Sequence, residues 1–284
     1  MSSLVHISDL HLGGVADPVQ IEAVLDLVPD LDPQAIVLSG DLCLRARHGE
    51  YLAARAIVHD LQRTAPVLVI PGNHDVQWWR SPFLPFGGAA KYRKYVRYFG
   101  PTLNPTLSLP DVLVASVLTS HGAAWGSLTF RLRDIAVKGH LPKKEAQRVK
   151  AVFHGASALQ LRVLVVHHNV LRGEISKRTG LSRWRQAQRR IIESGAELVL
   201  CGHDHQEGAD WLGSSVVVSS AGTLSARTRG GRPSVFNRVY WDDASIHVEM
   251  YRWDRDRRLF KRSEVFAFAR SRTPSETSIP ASVG

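Results

Sequence analysis

Five short apolar runs in this chain are each followed, directly or after one glycine, by aspartate, asparagine or histidine. The runs are residues 4–8, 35–39, 67–71, 163–166 and 197–201. Aliphatic and β-branched runs of this length, bounded by Gly or Pro, are typical of buried strands. Because ligands bind at the carboxyl ends of strands in open α/β sheets, polar side chains at these points are expected to form a common site.

The segments between and after these runs indicate two kinds of structure. Apolar residues at helical spacing predict helices at residues 18–28, 49–63, 142–153 and 184–194. A second set of strands without intervening helices is predicted at residues 111–119, 214–220, 238–241, 245–253 and 258–269. Alternating strands and helices predict a layered α/β domain, with the second set as the mixed or antiparallel half of a two-sheet core.

Seven of the side chains that follow the strands have the chemistry of metal ligands. They are Asp9, His11, Asp41, Asn73, His167, His203 and His205. Residues two apart in an extended segment face the same side, so Asp9 and His11 can hold one ion or reach two adjacent ions. Imidazole combined with carboxylate, carbonyl and water suits zinc, manganese or iron better than calcium. Two ions that share one carboxylate fit this number of ligands, whereas one ion with an open position does not.

The order Asp-x-His, Gly-Asp, Gly-Asn-His-Asp, His-His and Gly-His-x-His resembles the calcineurin-like metallophosphoesterase family. These motifs span residues 9–205. The resemblance implies a four-layer αββα sandwich, in which two mixed β-sheets are flanked by helices, over residues 1–270. The compact chain and its first and last motifs look most like the bacterial class III cyclic-nucleotide or glycerophosphodiester phosphodiesterases.

The resemblance also implies a role for each motif residue. One ion would be held by Asp9, His11, Asp41 and His205, and the other by Asp41, Asn73, His167 and His203, with Asp41 bridging. His74 would not bind metal but would lie beside the scissile phosphate. His167 and His168 are adjacent, so either could be the ligand. We take His167 as the ligand and place His168 at the substrate or behind the ligands.

The expected reaction is the hydrolysis of a phosphodiester. Two divalent ions would outweigh the negative charge of Asp9, Asp41 and a bridging hydroxide, so the site would attract a phosphodiester anion. That hydroxide would attack phosphorus in line, and His74 would protonate the leaving group. Cyclic nucleotides and glycerophosphodiesters are the first candidates, and the alternatives are a lipid-linked pyrophosphate hydrolase and a DNA repair nuclease. A non-enzymatic scaffold is disfavoured because every ligand position carries a competent donor.

Two segments are candidates for substrate contact. Residues 76–110 are the most loop-rich insertion and are predicted to shape the substrate pocket. Trp78 and Trp79 lie in this insertion, and the backbone of Trp78 is no more than ~14 Å from His74. The alternative is that these rings only anchor a long loop to the core. Arg183 follows the His167–His168 pair and is the basic residue expected to contact the substrate.

Charge and composition limit the partners of the chain. The net charge is +10, from 36 basic and 26 acidic residues. Basic clusters at residues 183–190, 227–232 and 252–262 are compatible with nucleic acid or anionic lipid, and equally with a solvated arginine-rich surface. A homodimer is compatible with the sequence.

The expected location is cytoplasmic. The chain has no apolar run of about eighteen residues, so no transmembrane segment is expected. Its first residues enter a strand without the basic and apolar regions of a secretory signal. Two cysteines cannot form a disulfide framework. Residues 271–284, rich in Ser, Thr and Pro, are predicted to be a disordered tail.

Overall fold

A computed structural model of the protein describes residues 1–77, 89–121 and 137–270. The strands are β1 (Ser2–Ile7), β2 (Ala35–Leu38), β3 (Val67–Val69), β4 (Thr106–Leu109), β5 (Val112–Val117), β6 (Leu161–Val166), β7 (Leu198–Cys201), β8 (Gly208–Leu212), β9 (Val216–Ser220), β10 (Val235–Trp241), β11 (Ser245–Asp254) and β12 (Leu259–Ala269). The α-helices are α1 (Pro18–Leu27), α2 (His48–Leu61), α3 (Arg93–Phe99), α4 (Lys143–His154) and α5 (Trp184–Glu193), with 3₁₀ turns at Pro29–Leu31 and Ala89–Tyr92.

The strands form two mixed six-stranded sheets. The order in the first sheet is β12-β11-β10-β1-β2-β3, and in the second β4-β5-β6-β7-β9-β8. Strands β1, β2 and β3 are parallel, whereas β10, β11 and β12 add to them as an antiparallel meander. In the second sheet β5, β6, β7 and β9 are parallel, and β4 and β8 are antiparallel edges.

The packing makes four layers because successive side chains in each strand face opposite sides. In β1, Leu4 lies in the core between the sheets, whereas Val5 and Ile7 pack with residues of α1 and α2. In β6, residues 161, 163 and 165 face the first sheet, and residues 164 and 166 pack with α4 and α5. The predicted αββα sandwich of two mixed sheets is confirmed.

Two sequence expectations differ from the structure. The second set of strands is not a sheet of its own, because β5 and β9 lie in one sheet and β10, β11 and β12 in the other. Each sheet therefore combines parallel strands with antiparallel additions. The described part of residues 76–110 contains α3 and β4, so it is less loop-rich than predicted. Helix α3, which buries Tyr95, was not predicted because its sequence is rich in Lys and Arg and has few aliphatic residues.

Some predictions fall outside the described residues. These are Trp78 and Trp79 in the insertion and residues 271–284 at the end of the chain. None of the helices in the described ranges combines the length and the hydropathy that a membrane crossing requires.

Candidate metal centre

The seven predicted ligands meet where the two sheets present the carboxyl ends of their parallel strands. Three overlapping groups have potential ligand atoms within 4.8 Å of one another, and these are Asp9–His11–His205, His11–Asp41–His74 and Asp41–His167–His203. Asp9, His11, Asp41 and His167 are almost fully buried, whereas Asn73, His203 and His205 reach solvent in part. The cluster is thus closed from below and open on one side.

The first group contains acceptor atoms that no hydrogen bond satisfies. Nε2 of His11 lies 2.8 Å from Nε2 of His205, and the two atoms are 3.6 Å and 3.3 Å from Oδ1 of Asp9. Nδ1 of His205 donates to the carbonyl of Arg227 at 2.6 Å, so the lone pair of the neutral ring is on Nε2. Oδ1 of Asp9 is buried without a hydrogen-bond partner in the described structure. A cation among these three atoms would satisfy all of them.

A second set of potential ligands consists of Asn73, His167 and His203, in which two imidazole rings face an amide oxygen. Oδ1 of Asn73 lies 3.1 Å from Nε2 of His167 and 2.9 Å from Nδ1 of His203. Nδ1 of His167 donates to the carbonyl of Ser39 at 2.8 Å, which leaves Nε2 as the atom that can bind a metal.

Asp41 lies between the two groups. Its Oδ2 is 3.8 Å from Nε2 of His11 and 3.4 Å from Nε2 of His167. Its Oδ1 accepts a hydrogen bond of 2.8 Å from the backbone N–H of His74. This is the position in which one carboxylate can serve two ions.

The electrostatics of the cluster favour positive charge. Burial alone would raise the pKa of Asp41, but the charges of His167 and His74 hold it below its usual range. Burial lowers the pKa of His167, yet the charge of Asp41 and a hydrogen bond to it raise that pKa to about 9. Burial and the charge of His167 lower the pKa of His203 to about 3. One imidazolium thus offsets part of the buried negative charge, which is the role that a cation would take.

The backbone at the ligands is held in an unusual conformation. Five of the candidate ligands have positive φ angles, and these are Asp9 (56°), His11 (47°), Asp41 (53°), His203 (74°) and His205 (52°). Non-glycine residues rarely adopt this region, and they do so mainly where surrounding structure imposes it. A Cβ at Gly72 would overlap the Asp41 carboxylate, and one at Gly202 would overlap Ser8. These glycines let the motif loops approach one another closely.

Asp75 links the loops that carry ligands. Its carboxylate accepts hydrogen bonds from the backbone N–H groups of Leu42 (3.1 Å), Cys43 (2.8 Å) and Gly72 (2.9 Å). The residues on either side of Asn73 and after Asp41 are thereby fixed to each other.

The structure places His74 beside the cluster and half-exposed. Its ring meets that of His11 edge to face, with 4.8 Å between the ring centres. Nδ1 of His74 donates to the carbonyl of Leu44 at 2.8 Å, so Nε2 is the free atom. His74 shares a potential ligand group with His11 and Asp41, so proximity alone does not separate a ligand from a proton donor.

The other two described candidates, His168 and Arg183, belong to none of the three groups of potential ligand atoms. Nδ1 of His168 accepts from the hydroxyl of Thr119 at 2.8 Å, and Nε2 donates to the carbonyl of Val137 at 3.0 Å. With both nitrogens engaged and 1% of its surface exposed, His168 packs behind the cluster. Arg183 is exposed just before α5. Burial, followed by the charges of Arg190 and Arg183, lowers the pKa of His140.

Sequence reasoning missed two residues that support Asp9. The hydroxyl of Thr223 donates to the carbonyl of Asp9 at 2.6 Å, and the hydroxyl of Ser8 donates to its Oδ2 at 2.5 Å. Thr223 follows β9 through Gly222, which is the same pattern of apolar run, glycine and polar residue seen in three of the five motifs. That pattern could have added β9 to the strands that face the site.

The donor set fits two divalent ions. It combines imidazole nitrogens, two carboxylates and one amide oxygen, which is the chemistry of zinc, manganese and iron sites. Oδ1 of Asp9 has no hydrogen-bond partner among the described residues, and the facing Nε2 atoms of His11 and His205 have only each other, so a cation between them would engage all three atoms.

Comparisons with known proteins agree with this site. A family model described as calcineurin-like phosphoesterase matches residues 2–207. No curated protein sequence matches the chain.

Solved structures with the same fold are distant in sequence. A dimetal phosphatase from Danio rerio has a TM-score of 0.66 at 12% identity, over 95% of this chain and 99% of that one. A purple acid phosphatase from yellow lupin (Lupinus luteus) seeds has a TM-score of 0.68 at 11% identity, over 95% of this chain and 54% of that one. GAP50, described as the anchor in the inner membrane complex of Plasmodium, has a TM-score of 0.61 at 10% identity, over 96% and 90%. At these identities the likeness shows the fold.

Proposed function

Because this chain belongs to the calcineurin-like phosphoesterase family, we propose that it is a two-metal phosphodiesterase. The observation that carries the proposal is the position of Asp41 between two groups of ligands, with buried acceptor atoms that lack a partner beside it. Buried charges are costly unless they are paired or coordinate metal ions, and a cluster of strongly perturbed groups is typical of an active site.

Each ion would have its own ligands, with one carboxylate in common. Asp9, His11, Asp41 and His205 would hold the first ion, and Asp41, Asn73, His167 and His203 the second. Two bound divalent ions would polarise the phosphoryl oxygens and supply hydroxide at neutral pH. The carbonyls of Ser39 and Arg227 would keep His167 and His205 in the tautomer that a metal ligand needs.

His74 would act on the leaving group. Its Nδ1–H is held by the carbonyl of Leu44, so a protonated ring presents Nε2–H on the open side of the cluster. Transfer of that proton to the departing alkoxide would leave a neutral ring in a fixed tautomer. Such a donor is most useful for leaving groups of high pKa.

The preferred substrates are small phosphodiesters such as cyclic nucleotides and glycerophosphodiesters. Trp78 and Trp79, only a few residues beyond His74, are proposed to contact the base or the glycerol part. If so, replacing either with Ala would raise KM for the natural substrate more than for a small chromogenic ester. Arg183 is proposed to attract the anion, and His168 to support His167 and His203 from behind.

Two alternatives use the same site. The excess positive charge favours an anionic substrate with more charge than a simple diester, such as a lipid-linked pyrophosphate or single-stranded DNA. A scaffold without activity is the third reading, since one protein of this fold is described as an anchor. The complete ligand set argues against it.

The test is hydrolysis of bis(p-nitrophenyl) phosphate by protein stripped with a chelator and then reloaded with Mn²⁺. We expect two ions per chain after loading, together with activity that is absent from the stripped protein. Fewer than one ion per chain, or equal rates with and without metal, would contradict the proposal. A panel of cyclic nucleotides, glycerophosphodiesters, lipid pyrophosphates and single-stranded DNA would then identify the substrate class.

A further inference from the structure

A cavity of about 640 Å³ lies on the far side of the loop that positions His205. Its walls are the start of α1, the loop at residues 225–234 and the turn between β11 and β12. The cavity contains none of the seven candidate metal ligands. Its volume is in the range of small-molecule sites, which is about 300–1,000 Å³.

The charge in this cavity is positive and partly uncompensated. Arg232, Arg255 and Arg258 line it. Nη2 of Arg232 lies 2.6 Å from the carboxylate of Glu174, so its charge is matched. Arg255 and Arg258 are exposed and form no ion pair within the ranges that the structure covers. Two neighbouring guanidinium groups are suited to a phosphate or carboxylate.

Hydrogen bonds fix the backbone of the turn that carries these two arginines. Oδ1 of Asp254 accepts from the backbone N–H of Arg257 at 3.0 Å, which closes the turn. The backbone N–H of Trp253 donates to the carbonyl of Ser234 at 2.9 Å, which joins the turn to the loop at 225–234. The ring of Trp253 packs against Phe260, with 5.1 Å between the ring centres, and also lines the cavity.

Two further side chains of the wall have unused polar atoms. Nε2 of Gln20 donates to Oδ2 of Asp17 at 3.0 Å, and since a carboxylate only accepts, this bond sets the orientation of the amide. Oε1 of Gln20 is then an acceptor without a partner, and Oγ of Ser234 is also unpartnered in the described structure. Both side chains are more than nine-tenths buried in the wall.

We propose that this cavity binds a small ligand that joins a phosphate to a planar heterocycle, as a mononucleotide does. The phosphate would lie between Arg255 and Arg258, and the heterocycle against Trp253. The ligand would touch the loop whose Arg227 carbonyl fixes His205, but it would bind without any metal ion. Binding at this site can therefore be tested independently of the proposed hydrolase activity.

The experiment is calorimetric titration of the full chain with AMP after treatment with a chelator, so that the metal centre does not bind phosphate. We expect saturable binding of one AMP per chain, with weaker binding of inorganic phosphate and of adenosine. The double variant Arg255→Ala, Arg258→Ala should bind AMP at least about tenfold more weakly, because it loses two charge-assisted contacts. Both residues are exposed in a turn, so the variant should fold normally, and its thermal unfolding checks this.

The matched control is the double variant Arg55→Ala, Arg189→Ala. It removes the same charge from exposed helical sites outside the cavity and should change AMP affinity by less than about twofold. No saturable AMP binding, or equal weakening in both double variants, would overturn the proposal. Phosphate binding that AMP does not improve would overturn the role of Trp253.

Discussion

Buried carboxylates lie at both ends of strands β6 and β7, and the two ends differ in whether the chain gives each carboxylate oxygen a hydrogen-bond donor. At the amino ends, Oε1 of Glu197 accepts from Nε of Arg270 at 2.8 Å, and Oε2 accepts from the backbone N–H of Arg162 at 3.1 Å. At the carboxyl ends, His167 and His203 meet Asp41 beside acceptor atoms that no donor satisfies.

The difference separates a structural ion pair from a binding site. A buried carboxylate with a donor on each oxygen is complete, and removing one partner is costly. A buried carboxylate with a free oxygen gains from any cation that enters. Burial and charge alone do not tell these two ends apart, because Glu197 and Asp9 are both almost fully buried. The hydrogen-bond partners of each carboxylate oxygen distinguish the two ends.

The largest effect is expected from Asp41→Asn at the carboxyl ends. An amide keeps the shape of the side chain but loses the charge that serves both ion positions. Activity on bis(p-nitrophenyl) phosphate should fall by a factor of at least about 10³, which corresponds to about 4 kcal/mol of transition-state stabilisation. Activity is to be measured per folded molecule, because the variant also leaves the buried His167 imidazolium without its carboxylate and so lowers stability in chelator. Full activity in the variant would remove the distinction between the two ends.

At the amino ends we expect a substitution to lower stability and to leave activity nearly unchanged. Glu197→Ala should lower the free energy of unfolding by about 3 kcal/mol, because it leaves Arg162 and Arg270 without their carboxylate. Activity per folded molecule should stay within about twofold. The matched control is Glu193→Ala, an exposed acidic residue at the end of α5, which should cost less than about 0.5 kcal/mol. Urea unfolding followed by circular dichroism measures all three proteins.

His74→Ala tests whether every histidine at the carboxyl ends is a ligand. The rate should fall by about 10² for a diester with an alkyl leaving group and by much less for p-nitrophenol, which departs without a proton. Metal content measured by elemental analysis should remain two ions per chain. Loss of one ion in this variant would place His74 among the ligands, as its proximity to His11 and Asp41 allows.

The sequence predicted the strands of the core well, because their signal is local. The five apolar runs became β1, β2, β3, β6 and β7, and four helices begin and end within about two residues of their predicted bounds. The distribution of strands between the sheets was not predictable from the runs alone. It depends on which apolar face packs against which sheet. For example, β9 pairs with β7 although β8 lies between them in the sequence.

For the site, sequence could name the ligand types but not their surroundings. The alternation at Asp9 and His11 suggested an extended strand, yet both residues have positive φ angles in a loop. The choice between His167 and His168 rests on hydrogen bonds from residues far away in the chain, namely Ser39 and Thr119. Such contacts arise only when the sheets pack, so a single sequence leaves the choice open.

The smallest expected effect concerns His6, a buried histidine that shares Ser39 with His167. Nε2 of His6 lies 2.9 Å from the Ser39 hydroxyl, and burial lowers its pKa to about 3, with only a partial opposing effect from Asp9. The folded pKa is below the unfolded value of 6.5, so the unfolded chain binds the proton first as pH falls. Stability is therefore present above pH 6.5 and is lost towards pH 3. Between pH 7 and pH 5 this loss amounts to about 2 kcal/mol.

The measurement is urea unfolding of metal-free protein at both pH values, for the parent chain and for His6→Gln, which cannot titrate. The pH-dependent loss of stability should be about 2 kcal/mol smaller in the variant. Other histidines with lowered pKa values, such as His121, contribute equally to both proteins and cancel in the difference. His167 provides the contrast, because the Asp41 carboxylate raises its pKa. An identical pH dependence in both proteins would mean that His6 reaches water or a charge partner when protonated. His6 would then have to be grouped with the buried residues of the metal centre, which gain from a charged partner, although its only hydrogen-bond partner among the described residues is the Ser39 hydroxyl.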